Sequence, residues 1–333
     1  MTDLGEMKKI LGLRVERNHE KGTLKISQEP YIDIILTRFH MQDANSVSTP
    51  LSKSVTLTMT SKDTDLPKID VPYAKAVGSL MYATLGTRPD LAFAIQHLSK
   101  FTTSYGPEPW TALKHVFHYQ KGTRNVGIIF KKDANAELQL YVDSGFAHRA
   151  DALSIGGYVA MFGGGCIACI LKKQRTVALS MTEAEYIVLT EGAKQLIWPR
   201  CALQELGFDQ EQPTLIQCDN LGAITISHDT TYHARTKHIS IAYHFIRKKV
   251  ASNQAALTYV QSKENPAGIM MEGLGLQQHK YLCKRLGMET PQIEGKCWAN
   301  QKQGSGGGLT VVDSLEVDEM EGGGQSSEED NSM

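Results

Sequence analysis

Two segments with the pattern of short β-strands each end in an aspartate, and this pair constrains the fold more than any other feature of the chain. In residues 137–143 apolar and polar side chains alternate up to Asp143, and residues 214–219 run apolar up to Asp219. If the two strands are parallel neighbours, both carboxylates lie at the same edge of the sheet, where open α/β sheets place their sites.

A single long helix is predicted between these strands, over residues 181–206. Its apolar stripe contains Glu185, whereas Glu183 falls about 160° away on the helical wheel. A carboxylate on a core-facing stripe is unfavourable unless a positive group holds it. Asp143, Glu185 and Asp219 are therefore candidate ligands of a divalent metal ion. The stripe consists of Met181, Glu185, Val188, Leu189, Gly192 and Leu196.

The composition excludes several classes of protein. Of 333 residues, 41% are hydrophobic and 21% charged, with a formal net charge of −1. Nucleic-acid binding would therefore require a local basic patch. The sequence has no run of about 18 apolar residues, so no membrane span is predicted. The N-terminus lacks a signal-peptide pattern. The six scattered cysteines suggest reduced thiols, so we expect an intracellular protein of the cytoplasm or nucleus, with no membrane partner.

Cys166 and Cys169 have the spacing of a zinc or redox pair. They lie within a strand-like run, and a regular strand places residues three apart on opposite faces. We therefore interpret them as two small strand residues.

The first 131 residues show packing patterns but no catalytic cluster. A hairpin is predicted from residues 11–17 and 23–27, and helices are predicted from Pro30, from residue 73 in two pieces, and over 110–119. Asp90 is a possible cap between the two pieces. The predicted apolar faces are Tyr31, Ile34, Ile35 and Phe39, then Val77, Leu80, Met81 and Leu85, then Leu91, Ile95 and Leu98.

The order of elements after residue 131 predicts a mixed α/β sheet of five strands with flanking helices. An antiparallel pair is expected over residues 156–162 and 166–171. The helix, the strand to Asp219, helices over 221–227 and 236–250, and a last strand over 256–260 follow. The strand that ends at Asp143 would then be central. After Met288 the chain is rich in Gly, Ser and acidic residues, which predicts disorder.

Four motifs occur in a fixed order along this part of the chain. They are YVDS at 141–144, ALSMTEAEY at 178–186, CDNLGA at 218–223 and HARTKHI at 233–239. Together they resemble the ribonuclease H domain of copia-type retrotransposon Pol polyproteins. The likeness extends upstream through DLGE at 3–6, SQ at 27–28, TP at 49–50, VGSL at 77–80 and TRPD at 87–90. That region resembles the end of the reverse transcriptase and its connection.

The resemblance implies four regions. Residues 1–50 would be an α+β remnant of the reverse transcriptase thumb, 51–131 a linker and helical connection, 132–288 the ribonuclease H-like domain, and 289–333 a disordered acidic tail. The polymerase's catalytic Asp pair would lie upstream of Met1. The rest of the Pol polyprotein, including the polymerase domain, is an expected partner.

The resemblance also assigns a role to each carboxylate. Asp143 matches the family's first metal-binding Asp, Glu185 its Glu, and Asp219 its third carboxylate. Mg²⁺, with Mn²⁺ as the alternative, would be the cofactor. Two ions would support hydrolysis of the RNA strand of an RNA–DNA hybrid during reverse transcription.

One departure from the family pattern bears on activity. The fourth carboxylate of the family follows an Ala after the last strand, and here Gly268 follows Ala267. Glu264 and Glu272 are nearby substitutes. Two functions follow: a weakened nuclease, or a catalytically dead fragment that only binds nucleic acid or protein. Further departures are Gly145, Phe146, Cys169, Met271 and the absence of an Arg pair in residues 151–154.

Basic residues near and within the last predicted helix have two interpretations. They either contact the phosphates of the hybrid, or they cap and solvate the ends of the helix. His233 has a third interpretation, as a catalytic His. The candidate contacts are Arg235, Lys237, His238, Arg247 and Lys248.

Overall fold

The computed structural model describes residues 5–52, 55, 57, 70–134, 136–146, 153–228 and 240–289. Residues 290–333 of the predicted tail, residues 58–69 of the predicted linker, and His233, Arg235, Lys237 and His238 lie outside these residues. The described residues all belong to one compact unit. Within them, no helix has both the length and the apolar character needed to cross a membrane.

The N-terminal sheet is antiparallel and contains one strand from much later in the chain. The predicted hairpin is confirmed as β2 (Leu13–Asn18) and β3 (Thr23–Ser27), with a two-residue β1 (Lys9–Ile10) at its edge. The fourth strand, β4 (Gly127–Lys131), pairs with β3. β4 was not predicted, because its short run has no alternation of apolar and polar residues.

Four helices pack into one apolar core beside this sheet. They are α1 (Glu29–Arg38), α2 (Tyr73–Gly86), α3 (Ala92–Ser99) and α4 (Pro107–Gly122). The predicted faces of α1 and α2 are buried at Ile35, Phe39, Val77 and Leu80, but they were wrong at Ile34, Met81 and Leu85, which are exposed. Residues of the adjoining stripe are buried instead: Ile32 and Leu36 on α1, and Tyr73, Ala76 and Ala83 on α2.

Asp90 lies in a 3₁₀ turn (Pro89–Leu91) and is not a cap, contrary to the prediction. Its carboxylate accepts two hydrogen bonds from the Arg88 guanidinium, at 3.0 and 2.8 Å, and one from the Tyr119 hydroxyl at 2.7 Å. Burial alone would raise the pKa of Asp90, but Arg88 holds it below its usual value. This carboxylate is therefore committed to a buried ion pair.

The second sheet has five strands in the order β7-β6-β5-β8-β9. Its strands are β5 (Gln139–Gly145), β6 (Ile155–Phe162), β7 (Gly165–Lys173), β8 (Thr214–Cys218) and β9 (Ala255–Tyr259). β5 is central, antiparallel to β6 and parallel to β8. The predicted mixed sheet is thus confirmed, including the parallel pairing of the two strands that lead to Asp143 and Asp219.

Helices cover both faces of this sheet. They are α5 (Met181–Gln195), α6 (Ile197–Glu205), α7 (Leu221–His228), α8 (Ser240–Ala251) and α9 (Leu276–Arg285), with a 3₁₀ helix (Pro266–Met270) before α9. α9 was not predicted. Leu140 and Val142 of β5 face the core formed with α5, whereas Tyr141 faces the core that contains α9.

The single helix predicted over residues 181–206 is two helices, because α5 ends at Gln195 and α6 begins at Ile197. Pro199 accounts for the break, since a proline ring clashes with the carbonyl four residues earlier, here that of Gln195. The predicted stripe is buried from Glu185 to Leu196, but Met181 is exposed.

The two cysteines of the β6–β7 hairpin share a face, contrary to the prediction. In the register, Met161 pairs with Cys166 and Ala160 with Ala168, so Ile167 is an extra residue. A bulge of one residue reverses the alternation of side chains beyond it. The thiols of Cys166 and Cys169 therefore contact each other, a contact that raises the pKa of Cys166.

A third apolar cluster joins the helical region to the second sheet. It contains Ala92, Val126 and Ile128 together with residues of β6, the second 3₁₀ helix and α9. The Ile129 N–H donates to the Gly287 carbonyl at 2.8 Å. The predicted boundary between residues 131 and 132 thus crosses a shared core, and the division into domains stays a prediction.

Candidate metal centre

Asp143 and Asp219 extend from parallel strands at the same edge of the second sheet. Tyr141 of β5 is in register with Gln217 of β8, and each Asp lies two residues beyond that pair. The backbone that follows Asp219 is fixed by Asn220, whose side-chain oxygen accepts the Ala223 N–H at 2.9 Å and caps α7. Parallel pairing therefore brings the two aspartates together, as the sequence predicted.

Glu185 reaches this edge from the first turns of α5. It is 3% exposed, and its Oε1 accepts the backbone N–H and the hydroxyl of Ser144, both at 2.9 Å. Because Ser144 directly follows Asp143, these bonds attach the glutamate to the end of β5. The second carboxylate oxygen of Glu185, Oε2, faces the Cys218 thiol.

Glu183 has a different role, at the start of α5. The Ser180 hydroxyl accepts the Glu183 N–H at 3.2 Å, and the Glu183 carboxylate accepts the Leu179 N–H at 2.9 Å. These two bonds satisfy N–H groups at the helix N-terminus, in the manner of a capping box.

Glu185, Cys218 and Asp219 form a cluster of potential ligands whose ligand atoms all lie within 4.8 Å of one another. The Cys218 thiol lies 3.7 Å from Oε2 of Glu185, and its burial raises its pKa above the usual value. Asp143 approaches the same cluster from β5, since the charges of Glu185 and Asp219 both raise its pKa.

The closeness of the carboxylates raises the pKa values of two of them. Burial, followed by repulsion from Glu185 and Asp219, raises the pKa of Asp143 well above its usual value. Burial and the charge of Asp219 raise the pKa of Glu185 to about 7, despite the opposing hydrogen bonds from Ser144. Such perturbed carboxylates at a sheet edge are typical of sites that hold a cation.

Gly268 faces Asp143 directly. A Cβ built on Gly268 would lie 3.3 Å from Oδ2 of Asp143 and 3.8 Å from the Ser262 carbonyl. A side chain at this position would therefore point at the carboxylate cluster. With glycine there, residue 268 contributes no ligand atom from its side chain.

Asn265 holds the 3₁₀ helix that carries Gly268 against β5. It is fully buried, its side-chain N–H donates to the Val142 carbonyl at 2.8 Å, and its oxygen accepts the Ala267 N–H at 3.1 Å. One residue thus connects the strand of Asp143 to the segment of Gly268. Asn265 was not among the predicted site residues, although an Asn before a Pro is a signal for the start of a turn.

The two substitutes considered for the fourth ligand differ in position. The Glu264 carboxylate accepts the Tyr281 hydroxyl and lies 3.7 Å from Arg285, so it is held by α9. Glu272 lies near enough to Asp143 to contribute to its raised pKa. Glu264 is thus paired with α9, whereas the charge of Glu272 helps to raise the pKa of Asp143.

The described basic residues of α8 also differ. The Arg247 guanidinium donates two hydrogen bonds to the Ile226 carbonyl, at 3.2 and 2.9 Å, and so ties α8 to the end of α7. Lys248 is exposed. The structure therefore gives Arg247 a packing role, and a phosphate contact at either residue stays a prediction.

Comparison with known proteins places these features in a family. The chain is 40% identical over 293 residues to the Retrovirus-related Pol polyprotein from transposon TNT 1-94 of Nicotiana tabacum, which covers 86% of this chain and 22% of that protein. It is 34% identical over 277 residues to the Pol polyprotein from transposon RE2 of Arabidopsis thaliana, covering 83% and 19%. The chain belongs to the Pol polyprotein family of copia-type retrotransposons. It spans about a fifth of the length of these relatives.

No family model matches this Pol chain. Among solved structures, the N-terminal RNase H domain of a Mycobacterium tuberculosis protein aligns with a TM-score of 0.30 and 13% identity, over 41% of this chain and 94% of that one. The order of the five strands and the helices on both faces agree with the mixed α/β sheet predicted from the sequence.

Proposed function

We propose that the Pol chain is a ribonuclease that hydrolyses the RNA strand of RNA–DNA hybrids, with Asp143, Glu185 and Asp219 as its metal ligands. The observation that carries the proposal lies at the carboxyl edge of β5 and β8. Glu185 and Asp219 lie there in one cluster, and Asp143 ends the parallel neighbouring strand, where the charges of Glu185 and Asp219 raise its pKa. The family membership supports it, since the relatives are retrotransposon Pol polyproteins.

The donor set fits Mg²⁺ or Mn²⁺. Hard divalent ions take oxygen ligands and keep several waters, so a site of three carboxylates suits them. The raised pKa of Cys218 favours its neutral thiol, which leaves the binding to the oxygens. When bound, a pair of such ions supplies Lewis acidity to an attacking water and to the leaving oxygen.

The residues of the chain would contribute position and charge. Asp143 and Asp219 present oxygens from two strands that are fixed in register. Ser144 orients Glu185 through its two hydrogen bonds, so that the other carboxylate oxygen faces the Cys218 thiol. Mutual repulsion disfavours full ionisation of the carboxylates, and a bound cation would relieve this cost.

We further propose that Gly268 weakens this nuclease, because it leaves one side of Asp143 without the fourth carboxylate. A second candidate function follows from the same observation: a catalytically dead Pol fragment that binds nucleic acid or the remaining polyprotein. The position of Glu272 supports residual activity rather than this alternative, since its carboxylate is close enough to Asp143 to raise the pKa of Asp143.

The test is cleavage of an end-labelled RNA–DNA hybrid by the whole chain, in Mg²⁺ and in Mn²⁺. We expect cuts in the RNA strand that need the ion and disappear in Asp143→Asn. Glu191→Gln, which changes an exposed residue on α5, is the matched control and should cut normally. Absence of cleavage in both ions would reject the nuclease and leave the binding function.

A further inference from the structure

A second cleft lies at the end of the sheet away from the carboxylates. It has a volume of about 560 Å³ and is lined by the β2–β3 hairpin, the end of β4 and the β6–β7 turn. Met161, which precedes the cleft residue Phe162, pairs with Gln139 at the start of β5, whereas Asp143 pairs with Gly157. The cleft and the candidate metal centre are therefore at opposite ends of β5.

The walls of the cleft are tied together by backbone hydrogen bonds. The Lys132 N–H donates to the Gly22 carbonyl at 2.8 Å, and the Lys131 N–H donates to the Gly163 carbonyl at 2.9 Å. The segment after β4 thus bridges the two hairpins. A cleft with such walls is preformed, which lowers the entropic cost of binding.

The charge along the cleft is positive. Arg17, Lys131 and Lys132 line it with exposed side chains, and no carboxylate does so among the described residues. His19, at the rim, contacts Glu6 at 3.0 Å. In a chain whose net charge is −1, this concentration of cations is a local basic patch of the kind that binds phosphates.

Three aromatic rings share the cleft with these cations: Phe130, Phe162 and Phe208. Phe162 and Phe208 meet edge to face with centroids 5.9 Å apart, and Phe208 is 49% exposed. An exposed phenylalanine beside lysines and an arginine offers a flat surface on which a base can stack. Aromatic rings interleaved with cations in a groove are the usual features of single-strand binding surfaces.

We propose that this cleft binds an unpaired nucleic-acid strand. Arg17, Lys131 and Lys132 would contact its phosphates, and Phe208 with Phe162 would stack on a base. A duplex is the poorer fit, because its bases are already stacked on one another and cannot reach the rings. The inference goes beyond the proposed nuclease, which acts on the hybrid at the other end of β5.

The test measures binding separately from cleavage. The whole chain with Asp143→Asn is titrated against a fluorescent oligothymidylate and a duplex of the same length, by anisotropy at several salt concentrations. Arg17, Lys131 and Lys132 are changed together to Ala. We expect binding to the single strand to weaken about tenfold or more at low salt. The slope of log K against log salt concentration should become less negative by about 2, as expected for three lost phosphate contacts.

Two further variants separate the parts of the site. Phe208→Leu should weaken binding by roughly fivefold or more at unchanged salt dependence, because it removes only a stacking ring. The matched control changes Lys8, Lys9 and Lys75 to Ala, which are exposed and outside the cleft, and should bind normally. Circular dichroism checks that each variant is folded. An oligonucleotide containing 4-thiouridine should crosslink to the peptide that carries Phe208.

Three results would overturn the inference: no binding to the single strand, equal losses in the cleft and control variants, or tighter binding of the duplex. Loss of cleavage with retained single-strand binding would reject the proposed nuclease alone. Retained cleavage with no single-strand binding would reject the cleft alone.

Discussion

A Cβ on Gly268 would stand 3.3 Å from Oδ2 of Asp143, so this glycine occupies a position from which a side chain would enter the carboxylate cluster. The distance is short but not prohibitive, and the backbone of Gly268 has no positive φ that would exclude other residues. The site is therefore one substitution away from four carboxylates.

The first prediction concerns Gly268→Asp. We expect this variant to cleave the hybrid faster than the native chain, by about tenfold or more. An added carboxylate ligand should strengthen metal binding by at least about 1.5 kcal/mol, the free energy of a hydrogen bond to a charged group, and this corresponds to about tenfold in affinity. The measurement is the initial rate over a range of Mg²⁺ concentrations. Gly268→Ala, which adds the Cβ without a carboxylate, should show no gain. An inert aspartate variant would mean that loss of a ligand is not what limits activity.

The second prediction concerns pH and stability without metal. The pKa of Glu185 is raised to about 7 in the folded chain, so the folded state holds a proton that the unfolded state has released. Stability should therefore be highest below the ordinary Glu pKa and should fall as the pH rises towards 7. The loss from Glu185 is roughly 3 kcal/mol, from 1.36 kcal/mol for each pKa unit.

Urea unfolding from pH 4.5 to 8 would measure this loss. Glu185→Gln should flatten the curve, whereas Glu191→Gln, an exposed control, should leave it unchanged. Added Mg²⁺ should restore stability above pH 7, since a ligand that binds only the folded state stabilises it. A free energy of unfolding that rises with pH over this range in the native chain would contradict the raised pKa of Glu185.

The third prediction concerns the buried pair of Arg88 and Asp90. Arg88→Met should lower the free energy of unfolding by about 3–5 kcal/mol, because it leaves the Asp90 charge buried without its partner. Changing both residues, to Met and Leu, should cost less than the single change. If the single and double variants are equally stable, Asp90 does not depend on Arg88.

The fourth prediction separates the two basic residues of α8. Arg247→Ala should destabilise the chain by about 1–3 kcal/mol, because the Ile226 carbonyl loses both of its guanidinium donors. Lys248→Ala should leave stability unchanged. Thermal unfolding of the two variants measures the difference. Equal effects would show that the bonds to Ile226 contribute nothing.

Local patterns in the sequence were enough to predict the elements near the site. The alternation up to Asp143 and the apolar run to Asp219 gave the parallel strands, and the spacing of Val188, Leu189 and Gly192 showed that Glu185 faces inward. Each of these signals depends only on neighbours along the chain or around one helix. Pro199 was also a local signal for a helix break, and the prediction of one helix over residues 181–206 rested on the apolar stripe alone.

Other features depend on residues far apart in the chain, and no local pattern reports them. Asn265 gains its role from the Val142 carbonyl, 123 positions earlier. Asp90 looked like a cap because its partner Tyr119 comes from another helix. Cys166 and Cys169 share a face because Ile167 is an extra residue in the pairing of β7 with β6. The sequence of β7 alone does not reveal this bulge.

Strand β4 belongs by hydrogen bonding to the first sheet and by packing to the second. Ile128 is in register with Ile26 on one side and is bridged to Met288 on the other. A truncation that begins at residue 132 would therefore remove Val126 and Ile128 from the cluster that they share with α9. We expect such a fragment to expose the apolar face of α9 and to be less soluble than a fragment that also contains β4.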